Sequence, residues 1–431
     1  MADLAIGFGI SDITPPVGVE LSGFGWYLER KSTGIIEPLY AKSMLWQWED
    51  ARGAFISCDL IAVSRKLVKD IRTKVSKECQ IPFDNIIVST THTHSGPQTL
   101  EELIGWGEKD PDYLQRLPDL IADSSKSAKN EMSPARLEYG ETPVSGISYN
   151  RENKDGVTDD CLKVLKIIFD TKTVGFLVNY SCHPVVMCED TSLISGDFTG
   201  IAINKVSAKH QCTGIFIQGS SGDQNPVYCH LPQEEAVEKL HLLSDRFAGF
   251  IEKALDNTKP VVKEPVSAGR KIISLPQIIL DRAAVLRTLI ITDDFLKYQG
   301  SLPEEVERRL KFEKAVHEAL WKRFDVPGDK RETEIQAVKF GDFIIATHPA
   351  ELFFQFHKDL EESLKSYKTM ISGYTNDFIG YVPTPDKYDV SQREYSYPAH
   401  FVPLMVGEFP FKQDVGGILI NEMQQLIQSL T

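Results

Sequence analysis

The chain has 431 residues, of which 42% are hydrophobic and 25% are charged, and its formal net charge is −14. This is an ordinary globular composition, and the length allows a large buried core. Binding to nucleic acid is disfavoured, because such affinity depends on clustered Lys and Arg side chains and the chain has no basic stripe. No apolar stretch approaches the roughly 18 residues of a membrane span, so stable membrane insertion is not expected.

The N-terminal segment and the cysteines predict a cytoplasmic protein. Asp3 stands where a signal peptide needs a basic residue, and no long apolar region or cleavage site follows. The seven cysteines are odd in number and form no Cys-x-x-Cys pair, which is typical of a reduced compartment. The sequence does not determine the oligomeric state.

Strand-like and helical segments alternate along the chain. Strands are predicted at 4–8, 41–48, 53–57, 86–89, 136–140, 162–169, 174–180, 214–217, 266–274, 335–340, 343–347 and 369–373. Helices are predicted at 62–78, 111–131, 198–210, 234–255, 304–324 and after Gly417. This order predicts an α/β fold with a mixed β-sheet core flanked by helices, in a single domain over 1–431.

The segment 281–330 is helical in pattern and highly charged. We interpret it as an insertion. It is predicted to be either a lid over the site or a solvated helical hairpin on the surface.

The segment Ile86 to Pro97 reads IIVSTTHTHSGP, a β-branched run that ends in His92 and His94. Two histidines spaced i, i+2 on an extended segment project to the same side. Open α/β folds build their sites at strand ends, so this pattern predicts a metal ligand beside a catalytic partner.

Two further apolar runs end in the same way. One leads to His183, and the other leads to His348 and Glu351. Catalytic zinc sites use histidine and carboxylate ligands and leave one position open for water. The three strand ends together therefore predict a metal site, although Mn or Fe would accept similar ligands.

Rival sites lack their defining residues. The GFG at Gly7 has no third glycine, GSSGDQNP at Gly219 has no Gly-Lys-Ser/Thr ending, and no Gly-x-Ser-x-Gly nucleophile elbow occurs. Asp59, after the run AFISCD, is predicted either to accept a hydrogen bond from a ligand imidazole or to cap the next helix.

The chain resembles the neutral/alkaline non-lysosomal ceramidase family, in its N-terminal catalytic domain. The matching motifs run in order through IGFGISDITPP, LYAKSMLW, FISCDL, THTHSGP, YNRE, NYSCHP, LISGDFTG, GSSGD, PAEL and GYVPTPDKY. The resemblance implies a zinc-dependent hydrolase that cleaves an amide bond with a metal-activated water. It also implies that the family's C-terminal β-sandwich has no counterpart here.

Carried over by motif, the resemblance implies one zinc ion. The implied ligands are His92, His183, Glu351 and Tyr381. His94 and Arg151 are implied to line the reaction centre, with Arg151 stabilising an oxyanion and His94 moving a proton.

Departures from the family pattern concern the substrate. Asp223 is followed by Gln, Asn and Pro rather than by the usual Ser-containing order, and Arg393 replaces a tyrosine. Both side chains are predicted to contact the substrate, and Arg393 favours a polar, soluble small molecule.

An ester or lactone hydrolase acting on a small sugar-derived acid is the alternative function. A non-catalytic binding protein is the third reading, and the presence of His92, His183 and Glu351 disfavours it.

Overall fold

Three large β-sheets, each covered on its outer face by a pair of helices, form the core of the fold, and three two-stranded ladders accompany them in the described part of the chain. The computed structural model describes residues 4–100, 107–261, 265–297, 302–325, 328–389 and 396–430. The strands are β1 Ala5–Asp12, β2 Gly34–Ile35, β3 Tyr40–Trp48, β4 Ala51–Cys58, β5 Ile86–Thr90, β6 Ser133–Pro134, β7 Arg136–Pro143, β8 Ser148–Asn150, β9 Cys161–Phe169, β10 Lys172–Tyr180, β11 Leu193–Ile194, β12 Thr213–Gln218, β13 Gln224–Pro226, β14 Lys259–Pro260, β15 Val266–Pro276, β16 Lys330–Phe340, β17 Phe343–Thr347, β18 Glu351–Leu352, β19 Lys368–Ser372 and β20 Tyr381–Val382. The helices are α1 Arg65–Cys79, α2 Pro111–Asn130, α3 Asp197–His210, α4 Gln233–Asp256, α5 Arg282–Leu296, α6 Glu304–Arg323, α7 Phe354–Ser363, α8 Val402–Met405 and α9 Val415–Gln428.

The three sheets are all mixed. The first has the strand order β5-β4-β3-β1-β6, the second β12-β10-β9-β7-β14 and the third β15-β16-β17-β19. In each sheet one pair of strands is parallel, namely β4 with β5, β10 with β12 and β17 with β19, and the other pairs are antiparallel. The predicted α/β class with a mixed sheet core is confirmed, and the core is divided among three sheets.

The outer face of each sheet packs on its own helices. Apolar side chains of β4 and β5 contact α1 and α2, those of β9, β10 and β12 contact α3 and α4, and those of β16 and β17 contact α7 and α9. The inner faces meet in a shared cluster that contains Phe55 of the first sheet, Leu177 of the second and Ile345 of the third. This alternation follows from strand geometry, since successive side chains point to opposite faces.

Polar side chains join the sheets where their parallel strands end. Ser57 donates to the carbonyl of Phe216 (2.7 Å), and the Asn179 amide donates to the carbonyl of Ile371 (3.0 Å). The hydroxyls of Ser89 and Ser372 lie 2.9 Å apart. These buried bonds satisfy groups that would otherwise cost free energy on burial, and they bring three strand ends to one place.

All twelve predicted strands are present, and their ends agree with the prediction to within a few residues. The strands that were not predicted are two or three residues long, too short for an alternating pattern to appear. Glu351 lies in β18, and α7 begins shortly after it at Phe354. No described helix has the length and apolar character that crossing a bilayer requires.

The segment 281–330 contains a pair of helices, as predicted. Helix α6 buries Phe312, Val316 and Leu320, and α5 buries Val285, against a cluster that also holds Tyr374 and Tyr381. The hairpin therefore has an apolar inner face that packs on the protein. Whether it acts as a lid stays a prediction.

Candidate metal centre

Three strand ends, one from each sheet, converge on one buried site. His92 and His94 follow β5, His183 follows β10, and Glu351 begins β18 shortly after β17. The ring nitrogens of His92, His94 and His183 lie within 4.8 Å of one another, and all three rings are buried. This arrangement is consistent with the prediction, made from the sequence, that the three strand ends form one site.

The backbone at His92 is unusual. His92 has φ of 65°, the left-handed region that non-glycine residues seldom adopt. Its N–H donates to the carbonyl of Leu60 at 3.0 Å. Such backbone conformations persist where the surrounding structure imposes them, and they cluster at functional sites.

Two backbone carbonyls fix the tautomers of two histidines. His92 Nδ1 lies 2.6 Å from the carbonyl oxygen of Ile61, and His183 Nδ1 lies 3.2 Å from that of Gln224. A carbonyl oxygen only accepts, so each Nδ1 must carry the hydrogen. In the neutral rings each Nε2 then has a bare lone pair, as in many metal-bound histidines.

Both bare nitrogens point at the same carboxylate oxygen. Glu351 Oε2 lies 3.3 Å from His92 Nε2 and 3.1 Å from His183 Nε2. Lone pairs facing one another at these distances repel, unless the rings are doubly protonated or a cation lies among them. Burial, followed by the charge of Arg151, lowers the pKa of His183 to about 4, which argues against an imidazolium at neutral pH.

The donor set therefore fits a divalent cation. A carboxylate with imidazole nitrogens is a typical zinc donor set. His92, His183 and Glu351 are the residues that would hold the ion, and the full predicted ligand set, which also includes Tyr381, stays a prediction.

His94 lies at the edge of this set. Its Nε2 is 3.3 Å from His92 Nε2, and its buried Nδ1 has no hydrogen-bond partner among the described residues. Burial, followed by the charges of His92 and His183, lowers the pKa of His94. Gly23, with φ of 116°, packs on this ring so closely that a Cβ would lie 2.5 Å from Nδ1. A side chain at position 23 would therefore displace the His94 ring.

Arg151 and Tyr381 form the opposite side of the site. Tyr381 pairs with Glu351 in the short parallel ladder of β18 and β20, so the two side chains emerge next to each other. Arg151 Nη2 donates to the Tyr381 hydroxyl and, at 2.8 Å, to the carbonyl of Gly222. Arg151 Nε is buried and has no partner within the described part of the chain, so it is a donor available to a ligand.

Of the two predicted substrate contacts, Asp223 and Arg393, the structure describes only Asp223. Asp223 is 4% exposed, and its carboxylate accepts hydrogen bonds from Asn150 Nδ2 (2.7 Å), Gln224 Nε2 (3.0 Å) and Phe354 N (2.9 Å). It ties the turn after β12 to α7, and its contact with substrate stays a prediction. Arg393 lies outside the described residues.

Asp59 does not bond a ligand imidazole. Its carboxylate accepts the N–H of Tyr40 at 2.9 Å, while the carbonyl of Ile61 takes the position beside His92 Nδ1. Ser64, not Asp59, caps α1, accepting the N–H of Leu67. Both alternatives offered for Asp59 were therefore wrong, because its side chain turns back toward the neighbouring strand.

Two contributors were not predicted. Tyr374 stacks on His92 with ring centroids 4.0 Å apart, and its hydroxyl lies 2.7 Å from the Ser221 hydroxyl. Arg30 is buried and donates to the carbonyl of His94 at 3.2 Å. Neither residue has a local sequence signal, since each reaches the site from a distant part of the chain.

Comparison with known proteins identifies the family of the chain. The family model described as "Neutral/alkaline non-lysosomal ceramidase, N-terminal" matches residues 4–227, more than half of the chain. The chain belongs to this family. The resemblance inferred from the motifs is thereby confirmed, although Glu351 and Tyr381 lie beyond the matched residues.

Curated relatives align with about half of the chain. The neutral ceramidase of Pseudomonas aeruginosa is 25% identical over 250 residues, which are 51% of this chain and 36% of that protein. Neutral ceramidase A of Dictyostelium discoideum is 27% identical over 259 residues, covering 51% and 35%. The aligned region is thus only about a third of each relative's length.

The fold extends the likeness to the whole chain. The crystal structure of neutral ceramidase from Pseudomonas aeruginosa superposes with a TM-score of 0.74 at 16% identity, covering 100% of this chain and 75% of that one. A second structure, described as ceramidase complexed with C2, gives a TM-score of 0.72 at 15% identity, with the same coverage. At these identities the likeness shows the fold.

Proposed function

We propose that the protein is a zinc-dependent hydrolase of an amide bond, acting on a small molecule with an apolar acyl group. The observation that carries the proposal is the pair of bare imidazole nitrogens, of His92 and His183, that face one oxygen of Glu351 at 3.3 and 3.1 Å. The family membership supports the same reaction class. When bound at such a donor set, zinc acidifies water and so supplies a nucleophile for attack on a carbonyl carbon.

Arg151 and His94 would stabilise the developing negative charge and transfer the proton, respectively. Arg151, held by Gly222 and Tyr381, offers its unpaired Nε to the carbonyl oxygen of the substrate, where negative charge develops during attack. His94 is neutral and its Nε2 lies beside the donor set, 3.3 Å from His92 Nε2, so this ring can hold a proton and pass it to the leaving nitrogen.

An arc of aromatic rings that ends at Tyr381 supports the substrate class. Phe24 lies 4.8 Å from the His94 ring, and Tyr397 lies 6.1 Å from the Tyr381 ring. From Tyr397 the arc continues through Phe401 and Phe312 to Trp26, with ring centroids 6.2–6.4 Å apart at each step. Aromatic rings bind apolar groups well, so the arc favours an acyl chain over the polar substrate that Arg393 suggested.

Hydrolysis assays with matched substrates test the proposal. Purified protein is analysed for metal and then given N-acyl amides of short and long chain, the corresponding esters, and sugar lactones. We expect one zinc per chain and amide hydrolysis that rises with acyl length. Turnover of lactones without turnover of amides would establish the alternative function, and activity that survives complete removal of metal would overturn the zinc assignment.

A further inference from the structure

A buried serine joins two histidines that the proposed reaction does not use. Ser220 Oγ lies 3.0 Å from His348 Nε2 and 3.1 Å from His357 Nδ1. All three residues are at most 1% exposed. They come from the turn after β12, the loop between β17 and β18, and helix α7, so one hydroxyl connects three separate segments.

The hydrogen bonds of this cluster can run in only one direction while both rings are neutral. The Ala350 N–H donates to His348 Nδ1 at 3.3 Å, so the hydrogen of His348 must be on Nε2, which donates to Ser220. Ser220 then donates to His357 Nδ1, so the hydrogen of His357 is on Nε2, which lies 3.3 Å from Glu361 Oε1. Burial lowers the pKa of His348 to about 3 and holds that of His357 well below its usual range, which keeps both rings neutral.

The chain of bonds is anchored at one end and ends beside the metal centre at the other. Glu361 forms an ion pair with Lys163, which fixes the outer end. At the inner end, Ala350 immediately precedes Glu351. The turn after β12, which holds Ser220, also contacts β18 directly, since Gly222 N donates to the carbonyl of Leu352 at 3.0 Å.

We propose that Ser220 is a positioning residue: with His348 and His357 it fixes the loop that aims the Glu351 carboxylate at His92 and His183. Among the described residues, none of the three forms a hydrogen bond with His92 or His183. Their link to Glu351 is the bond from Ala350 N to His348 Nδ1. The inference rests on the proposed function for the role of Glu351. Its physical basis is that supporting hydrogen bonds restrict a ligand and so raise metal affinity.

Zinc affinity, measured by competition with a chelator on metal-free protein, separates this role from a general contribution to stability. We expect Ser220→Ala to weaken zinc binding about tenfold or more, the usual effect of removing a supporting hydrogen bond near a metal. The matched control is Ser244→Ala, which deletes a buried hydroxyl that donates to the Leu240 carbonyl in α4. This control should leave the zinc dissociation constant unchanged.

A second pair of variants keeps the test decisive if Ser220→Ala folds poorly. His357→Asn retains an acceptor for Ser220, whereas His357→Leu does not, and both lose the ring nitrogen that lies near Glu361. We expect zinc affinity nearer the wild type in His357→Asn than in His357→Leu.

Three outcomes are distinguishable. A lower melting temperature with unchanged zinc affinity in Ser220→Ala would mean that the cluster only stabilises the fold. Equal zinc affinities in the two His357 variants would also overturn the inference. Wild-type protein that takes up no zinc would overturn the proposed function, and this inference with it.

Discussion

At the scale of single residues, the site depends on which ring nitrogen is left bare. The carbonyls of Ile61 and Gln224 hold the hydrogens on Nδ1 of His92 and His183, so both Nε2 atoms are free to bind a cation. His94 has no such carbonyl partner, and its Nδ1 is unpaired. We propose that this difference separates two residues that would hold a metal, His92 and His183, from one, His94, that would move a proton.

Replacing single histidines tests that separation. His94→Ala should keep the zinc content of the wild type and lower kcat by about 10²- to 10⁴-fold, the usual contribution of a general acid–base residue. His183→Ala should lose zinc as well as activity. Elemental analysis and steady-state kinetics measure both, with His241→Ala, on the exposed surface of α4, as the control. Loss of zinc from His94→Ala would make His94 a ligand.

At the scale of elements, the strand ends carry the candidate metal-binding residues, and the helical hairpin supplies part of their surroundings. Phe312 of α6 is fully buried and contacts the rings of Trp26 and Phe401. The hairpin was predicted to be a lid or a solvated surface element. Its inner face contributes to the aromatic arc, while other residues such as Ile290 and Phe295 are exposed.

We predict that Phe312→Leu raises KM for long-chain N-acyl amides about two- to tenfold, because an aromatic contact is worth about 0.5–1.5 kcal/mol beyond its buried area. Leucine keeps most of the apolar volume, so the hairpin should stay folded. Short-chain amides should change less. Val306→Ala, at an exposed position of the same helix, is the control. Equal effects on short and long substrates would remove Phe312 from the acyl-binding surface.

Glu37, in the loop before β3, has a carboxyl group whose ionisation destabilises the folded state. Burial, followed by the charge of Asp59, raises the pKa of Glu37 to about 8 from 4.5. The folded protein therefore keeps a proton that the unfolded chain releases, and the free energy of unfolding falls as the pH rises between these two values. Glutamine cannot lose a proton, so Glu37→Gln should remove this part of the pH dependence.

Urea unfolding at a pH of about 5 and a pH of about 8.5 measures the effect. The loss of stability between the two pH values should be smaller in Glu37→Gln than in the wild type. Glu234→Gln, at an exposed position of α4, should follow the wild type. A pH dependence that is the same in Glu37→Gln and wild type would contradict the assigned burial of the charge.

At the scale of the whole molecule, the site lies where three sheets meet. His92 follows a strand of the first sheet, His183 follows a strand of the second, and Glu351 follows a strand of the third. A metal held by these residues would link all three sheets. The fold is shared along the entire chain with solved neutral ceramidase structures.

Metal removal should therefore lower the stability of the whole protein. Binding to the folded state alone adds about 2.7 kcal/mol when free metal is a hundredfold above the dissociation constant. We expect a chelator to lower the melting temperature and added zinc to restore it, as measured by calorimetry. His183→Ala should show a much smaller response. A melting temperature that is indifferent to zinc in the wild type would argue against a link between the sheets.

The sequence by itself determined the strands, most of the helices and the residues at the strand ends, because apolar periodicity and a histidine after a β-branched run are local features. Only the tertiary structure decided which partners those residues meet. The stacking of Tyr374 on His92, the carbonyl contacts of the two imidazoles and the bonds of Ser220 join segments far apart in the chain. Such contacts depend on how three sheets pack, and no local pattern of residues encodes that packing.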